Sequence, residues 1–267
     1  MKKSIKETKI EKKILEKLDG KIKNIAEMMF EDEEILTLQN HANNVSITRM
    51  GYNDHGPVHM KKAALNSIIM FDLLKDSGVK FSLQREKAGT IQDSKISVFI
   101  ASILHDIGMS VCRDNHEYLS VNLAISIIDR ILKKYYKNNI SRRTIIKTTT
   151  IEGIIGHMAT QEITSIEAGL VLVGDGCDME KGRARISTII SDGAKPGDIH
   201  RYSATSIKNL QIDKGKRKPI KVEIKMKEAA GLFQVEQVLI PKIKSSKLVP
   251  YIELCAIIDK KDRREYF

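Results

Sequence analysis

Residues 90–109 read TIQDSKISVFIASILHDIGM, and this stretch sets the reading of the chain around it. Ile96, Phe99, Ile100 and Ile103 recur at i, i+3, i+4 and i+7, the spacing of one helix face and not the alternation of a strand. Thr90 and Asp93 each carry a side-chain oxygen able to accept from the free N–H groups of a helix start, and Gly108 suits a helix end. The helix therefore starts after Thr90 or Asp93 and ends near Gly108. His105 and Asp106 fall in its last turn, two adjacent side chains about 100° apart around the axis.

Working outward, the same helical signature recurs on both sides. Pro57 suits a first helical position and opens a run through Leu65, Ile68, Ile69 and Leu73 that stops near Gly78, which places His59 in a first turn. Asp114 and Glu117 have capping-box spacing before Leu119, Val121, Leu123, Ile125, Ile127 and Ile128, so His116 sits at a helix N-terminus. Residues 142–158 form another helix, packed through Ile145, Ile151, Ile154 and Ile155, with His157 near its end. Thr164 and Glu167 repeat the capping spacing ahead of Ala168, Leu170, Val171 and Val173, a run that arrives at Asp175; over 170–173 a buried strand would read similarly. Residues 1 to about 30, interrupted by Gly20, form one or two amphipathic helices.

After about residue 200 the period changes. Leu210 and Ile212, then Ile220, Val222, Ile224 and Met226, alternate with polar residues across a turn containing Gly215, which predicts a hairpin. Residues 229–245 return to a helical pattern, Pro250 breaks it, and YIELCAII from Tyr251 reads as a strand. The expected fold class is mainly α: a helical domain over 1–204, with a basic helical segment at its N-terminus, followed by a small α+β unit of ββαβ order over 205–267.

The chain has 267 residues, 42% of them hydrophobic, enough for a substantial core in one domain or two. Its net charge of +11 is unevenly placed. Residues 1–23 hold nine Lys against four acids, and residues 208–227 hold eight basic against two acidic side chains. Residues 24–207 are nearly balanced, with 21 basic against 22 acidic. Lysine excess of this kind marks a solvated face or an anion-attracting, RNA-contacting surface. Cys112, Cys177 and Cys255 stand far apart with no CxxC pair, which argues against a disulfide framework and a thiolate zinc site and fits a reducing cytosol. The longest apolar runs are far below the roughly 18 residues a membrane span needs, and no signal-peptide apolar region opens the chain. A cytoplasmic protein with no membrane partner is expected.

Four segments carry the chemistry: NDHGPVHMKKA from Asn53, ILHDIGM from Ile103, DNHEYLSVNLA from Asp114, and GHMATQEITSIEAGLVLVGDGCDMEKGRAR from Gly156. Imidazole nitrogen and carboxylate oxygen suit Fe, Mn, Co, Ni or Zn, and a carboxylate has two oxygens with which to bridge two ions. His59, the pair His105-Asp106, and Asp175 resemble, in order, the H…HD…D signature of the HD superfamily, over roughly residues 50–190. The further histidines His116 and His157 are similar to those of its dinuclear members, which include hydrolases of dinucleoside polyphosphates. The resemblance implies an HD-domain helical bundle. It also implies one divalent transition-metal ion on His59, His105, Asp106 and Asp175, and a second on His116, His157 and the shared Asp106. The block GDGCDMEKGRAR at 174–185 and the ββαβ unit also resemble a little-characterised group of microbial HD hydrolases.

By that resemblance the chain is a metal-dependent hydrolase of phosphate esters, with a small phosphorylated substrate such as a nucleotide. Metal-activated water attacks phosphorus, Asp106 is central to catalysis, and Lys181, Arg183 and Arg185 hold substrate phosphate. Three features depart from the broader family: Met109 stands where many members carry Lys after HDIG, no GYP tripeptide is present, and His59, Lys62 and Ala63 replace a His-x-x-Arg-Val pattern. Asp178 is an alternative ligand to Asp175. His55, beside the first ligand, reads as a turn residue or as a proton-transfer group, and His41 and His200 take no metal role. The GDG glycines are not followed by GK[ST], which argues against a P-loop. Two other classes remain open: a mixed-valent di-iron oxygenase built on a similar ligand set, and a non-catalytic nucleotide- or RNA-binding module. The C-terminal unit is a candidate RNA-binding or homodimerisation element.

Overall fold

A computed structural model describes residues 3–179, 199–259 and 262–267 of the chain. Its helices are α1 (Ile5–Leu15), α2 (Gly20–Glu31), α3 (Glu33–Asn44), α4 (Pro57–Asp76), the single turn α5 (Ser82–Arg85), α6 (Ile91–Leu104), α7 (His116–Tyr136), α8 (Ile140–Gly156), α9 (Ile166–Gly176) and α10 (Ile199–Ser206). The fold is mainly α with a small C-terminal sheet, as the periodicity indicates.

α6 lies at the centre. The Thr90 side chain accepts from the Asp93 N–H and Asp93 returns the bond to the Thr90 N–H, so Thr90 is the N-cap and Asp93 completes a capping box. From Ile96 to Leu104 every side chain is buried, with α4, α8 and α9 packed around the helix. Helical hydrogen bonds satisfy this buried backbone, and its two polar side chains, Ser97 and Ser102, donate to the carbonyls of Asp93 and Val98 one turn earlier. α9 is likewise a helix throughout, which resolves the strand alternative at 170–173.

Three local readings change. The stretch between α2 and α4 holds α3, an additional helix capped by Asp32, whose side chain accepts from the Ile35 N–H. α7 does not open on an Asp114–Glu117 capping box: Asn115 is its N-cap, in the left-handed conformation at φ 57°. α9 starts from Ser165, which accepts from Ala168, while Glu167 instead takes bonds from Ser82, Leu83 and Ser94.

The C-terminal unit has strands β1 (Ile207–Lys214), β2 (Ile220–Met226), β3 (Ile252–Ile258) and β4 (Asp262–Glu265), hydrogen-bonded in that spatial order. β1 and β2 form the expected antiparallel hairpin, closed at Gly215, whose N–H donates to the Pro219 carbonyl. β2 and β3 are parallel, so the chain must cross over between them. It does so through short helical turns from Ala229 that end in α11 (Ile240–Ser245). β4 adds an antiparallel edge strand to the ββαβ order; all four of its residues are exposed and charged, which leaves no alternation to read. Ile220, Val222, Ile224 and Met226 are buried, β1 and β2 pack on α4, and α11 packs on α9. One buried apolar cluster runs from Ile10 in α1 to Ala256 in β3. No helix among the described residues is long and apolar enough to cross a membrane.

Candidate metal centre

His59 stands in the first turn of α4, His105 is the C-cap of α6, and Asp106 follows in the bridge region of the backbone at φ −106° and ψ 4°. His116 is the first residue of α7, His157 is the C-cap of α8, and Asp175 lies in the last turn of α9. Helix ends from five elements thus meet at one point. All six residues are buried, none more than 5% exposed.

Two close approaches bring these ends together. A Cβ on Gly108 would lie 2.1 Å from the His116 carbonyl and 2.5 Å from the Ser120 nitrogen, so only glycine lets the turn after Asp106 seat against the start of α7. The Gly108 N–H donates to Ser120 Oγ at 2.8 Å. A Cβ on Gly174 would lie 2.0 Å from Ser67 Oγ, and Asn66 and Ser67 of α4 donate to the carbonyls of Gly174 and Leu170. That contact draws Asp175 towards His59.

Asp106 divides the centre in two. Its Oδ2 lies 3.2 Å from His59 Nε2 and 3.4 Å from His105 Nε2; its Oδ1 lies 3.1 Å from His116 Nε2 and 3.2 Å from His157 Nε2. The Nε2 atoms of His59 and His105 are 3.3 Å apart, and those of His116 and His157 are 3.1 Å apart. These two groups could each hold a metal ion, and they share Asp106. Asp175 joins the first group through Oδ1, 3.1 Å from His59 Nε2 and 3.8 Å from His105 Nε2.

The tautomers fit such a site. Nδ1 of His105, His116 and His157 faces the carbonyls of Ser102, Arg113 and Ile154 at 2.8, 2.9 and 2.6 Å, so each Nδ1 carries the hydrogen and each Nε2 turns inward. Two bare Nε2 lone pairs facing each other repel unless a metal ion lies between them or an Nε2 takes up a proton. Donors about 2.0–2.1 Å from one ion are separated by roughly 2.8–3.4 Å at octahedral to tetrahedral angles, a range that holds every spacing here except the 3.8 Å between His105 Nε2 and Asp175 Oδ1. Asp178 is placed outside this circle: its Oδ2 lies 2.8 Å from His59 Nδ1, the ring face away from the other ligand atoms.

Burial alone would raise the Asp106 carboxyl, but the charge of His105 and hydrogen bonds from His105, His116 and His157 hold it well below the usual carboxylate range. Burial pushes His157 down to about 4, so its imidazole is neutral at physiological pH. Burial lowers His116 as well, but its bond to Asp106 outweighs that and leaves it raised. Burial, then the charge of Asp175, push the Cys177 thiol up to about 12, which excludes a thiolate beside the centre. All three cysteines are free.

His55 is held in a turn, its Nδ1 2.7 Å from the Asn53 carbonyl and 2.9 Å from Ser46 Oγ, with its ring edge-on to His59 at 5.8 Å. His41 is exposed. Lys181, Arg183 and Arg185 lie outside the described residues. One functional contact has no counterpart in the sequence reading: Lys242 of α11 pairs with Asp175 Oδ2 and donates to the His157 carbonyl at 2.8 Å.

Over 246 residues the chain is 37% identical to the uncharacterized protein MJ1020 of Methanocaldococcus jannaschii, covering 92% of this chain and 93% of that protein. The chain belongs to the family of that protein. At that coverage the similarity reaches into both the helical part and the C-terminal unit. No model of a known protein family matches the chain, and no solved structure matches it.

Proposed function

We propose that the chain is a dinuclear metal-dependent phosphohydrolase of the HD superfamily, acting on nucleotides or other small phosphate esters. The observation that carries this reading is Asp106, which offers one oxygen to the His59/His105 pair and the other to the His116/His157 pair. A single buried carboxylate set between two histidine pairs is the arrangement a two-ion centre requires. In this assignment His59, His105, Asp106 and Asp175 hold one ion, and His116, His157 and Asp106 hold the other.

A divalent Fe, Mn, Co, Ni or Zn ion held there would supply Lewis acidity and would lower the pKa of a water from about 15.7 towards about 7, the chemistry that hydrolysis of a phosphate ester calls for. The protein's own groups keep that chemistry in register. The Ser102, Arg113 and Ile154 carbonyls fix three imidazoles with Nε2 inward, and Asp178 does the same for His59. Burial of all six side chains excludes bulk water from the ligand circle. Lys181, Arg183 and Arg185 follow the last ligand in sequence and are the proposed partners of substrate phosphate.

The test is a phosphate-release screen over nucleotides and phosphomonoesters, with protein loaded anaerobically with Mn, Fe, Co, Ni or Zn in turn. Release that is lost on chelation and in a folded Asp106→Ala variant is expected. Protein that keeps tightly bound metal yet releases no phosphate from any substrate would refute the proposal. Full turnover with redox-inert Zn separates hydrolysis from di-iron oxygen chemistry.

A further inference from the structure

Lys242 is the one cation among the described residues paired directly with a side chain of the proposed ligand circle, and it comes from the opposite end of the sequence. α11 packs on α9, and the lysine stem runs past Gly176: a Cβ there would lie 3.0 Å from Lys242 Cδ and 3.2 Å from Leu239 Cδ1. The missing side chain is the passage through which the ammonium reaches the centre. At its end Nζ takes Asp175 Oδ2, the oxygen turned away from His59, and also donates to the carbonyl of His157 at 2.8 Å. Asp175 belongs to one half of the centre and His157 to the other.

We infer that Lys242 is a positioning residue of the metal centre: it occupies the outer oxygen of Asp175 so that the carboxylate presents only Oδ1 to the first ion, and it ties the two halves together. The inference rests on the metal-binding reading of this site. It gives the C-terminal unit a part in the chemistry, since the sheet and its crossover hold the helix that delivers the lysine. Without the ammonium, Asp175 loses the Oδ2 contact that fixes this orientation. Loss of such a supporting contact costs about 10–100-fold in metal affinity.

The experiment titrates the full-length, chelator-stripped chain with Co(II) under anaerobic conditions, following the visible ligand-field bands and the number of ions bound at equilibrium dialysis. The wild-type chain is expected to take two ions. Lys242→Met, whose stem fills the same passage, should bind one of them about 10–100-fold more weakly with altered bands, while the other is retained. Lys242→Arg, which keeps the charge, should recover most of that affinity. Lys242→Gln replaces Lys242→Met in the comparison if the latter does not fold, with the same loss expected.

Two ions bound with wild-type affinity and spectrum in the uncharged variant would overturn the inference and leave Lys242 an ordinary ion pair. A wild-type chain that takes up no Co(II) would overturn both this inference and the metal reading. A wild-type chain that binds two ions but hydrolyses no phosphate ester would remove only the proposed activity, with the role of Lys242 still decided by its variants.

Discussion

Asp106 is the residue on which the two halves depend, and its geometry makes the consequences of substitution unequal. Oδ2 serves one histidine pair and Oδ1 the other, so removing the carboxylate should affect both ions, whereas removing one histidine should affect one. Metal analysis is expected to find two ions per wild-type chain, one in His116→Ala, and neither in Asp106→Ala. An Asp106→Ala protein that keeps a full complement would show that the carboxylate does not bridge. Much of this constellation was legible in the sequence, because histidine and aspartate placed at the ends of apolar helices keep their meaning whatever the details of packing. Two residues were not. Asp178 read as a rival ligand to Asp175, since both lie within one stretch of chain; only the coordinates put it on His59 Nδ1. Lys242 sits in a segment where lysine is unexceptional, and its role exists only once α11 docks on α9.

At the level of elements, the helices that support the site were legible where many apolar positions sustain the stripe, as Ile96, Phe99, Ile100 and Ile103 do in α6 despite the buried Ser97 and Ser102, and obscure where few do. α3 escaped notice for that reason: its buried positions are Ile35, Gln39 and Ala42, and the middle one is an amide that donates to the Ile103 carbonyl at 2.8 Å. Capping signals placed helix starts to within a residue or two, but the Asp114–Glu117 pair misled, since Asn115 adopts the cap with a positive φ. Two predictions belong here. Gly108→Ala forces a methyl against the His116 carbonyl and the Ser120 nitrogen, so α7 must move outward and carry His116 with it. A stability loss of about 1–3 kcal/mol in urea denaturation, together with loss of one of two ions, is expected; an unchanged metal content would show that the close approach does not set the second half-site. The second concerns the start of α6. Burial would raise Asp93, but hydrogen bonds from Arg142 and Thr90 outweigh it and lower the carboxyl below its usual value. A carboxylate depressed in the folded state stabilises fully above its unfolded value, about 3.9, and loses that contribution as pH falls from there through the folded value. Asp93→Asn should therefore cost about 1.5–3 kcal/mol at neutral pH, with the difference from wild type closing towards pH 2. Parallel denaturation curves at the two pH values check it.

On the scale of the whole molecule, the charge map of the sequence acquires a second meaning. The nine lysines of residues 1–23 marked a basic helical segment at the N-terminus of the helical domain, and α1 lays Ile10 and Ile14 into the common core and aims Glu7 and Glu11 at Lys61 of α4. Lys61 is only 1% exposed, and Lys3 closes the network by pairing with Glu11 at 3.1 Å and Glu31 at 2.5 Å. Lys61 lies two residues from His59, so the same helix turn that presents a proposed ligand on one side is pinned to α1 on the other. A buried ion cluster stabilises less than its contacts suggest, because desolvation offsets the attraction, but removing one member strands the rest. Lys61→Met alone should lose about 3–5 kcal/mol in urea denaturation, since Glu7 then lacks its cation and Glu11 keeps only the half-buried side of the network through Lys3. The triple replacement Glu7→Leu, Glu11→Leu and Lys61→Met removes charge and desolvation together and should recover most of that loss. If the single and triple variants were equally destabilised, α1 would be held by specific charge pairing; recovery in the triple variant would place its stability in the apolar stripe that joins it to the core.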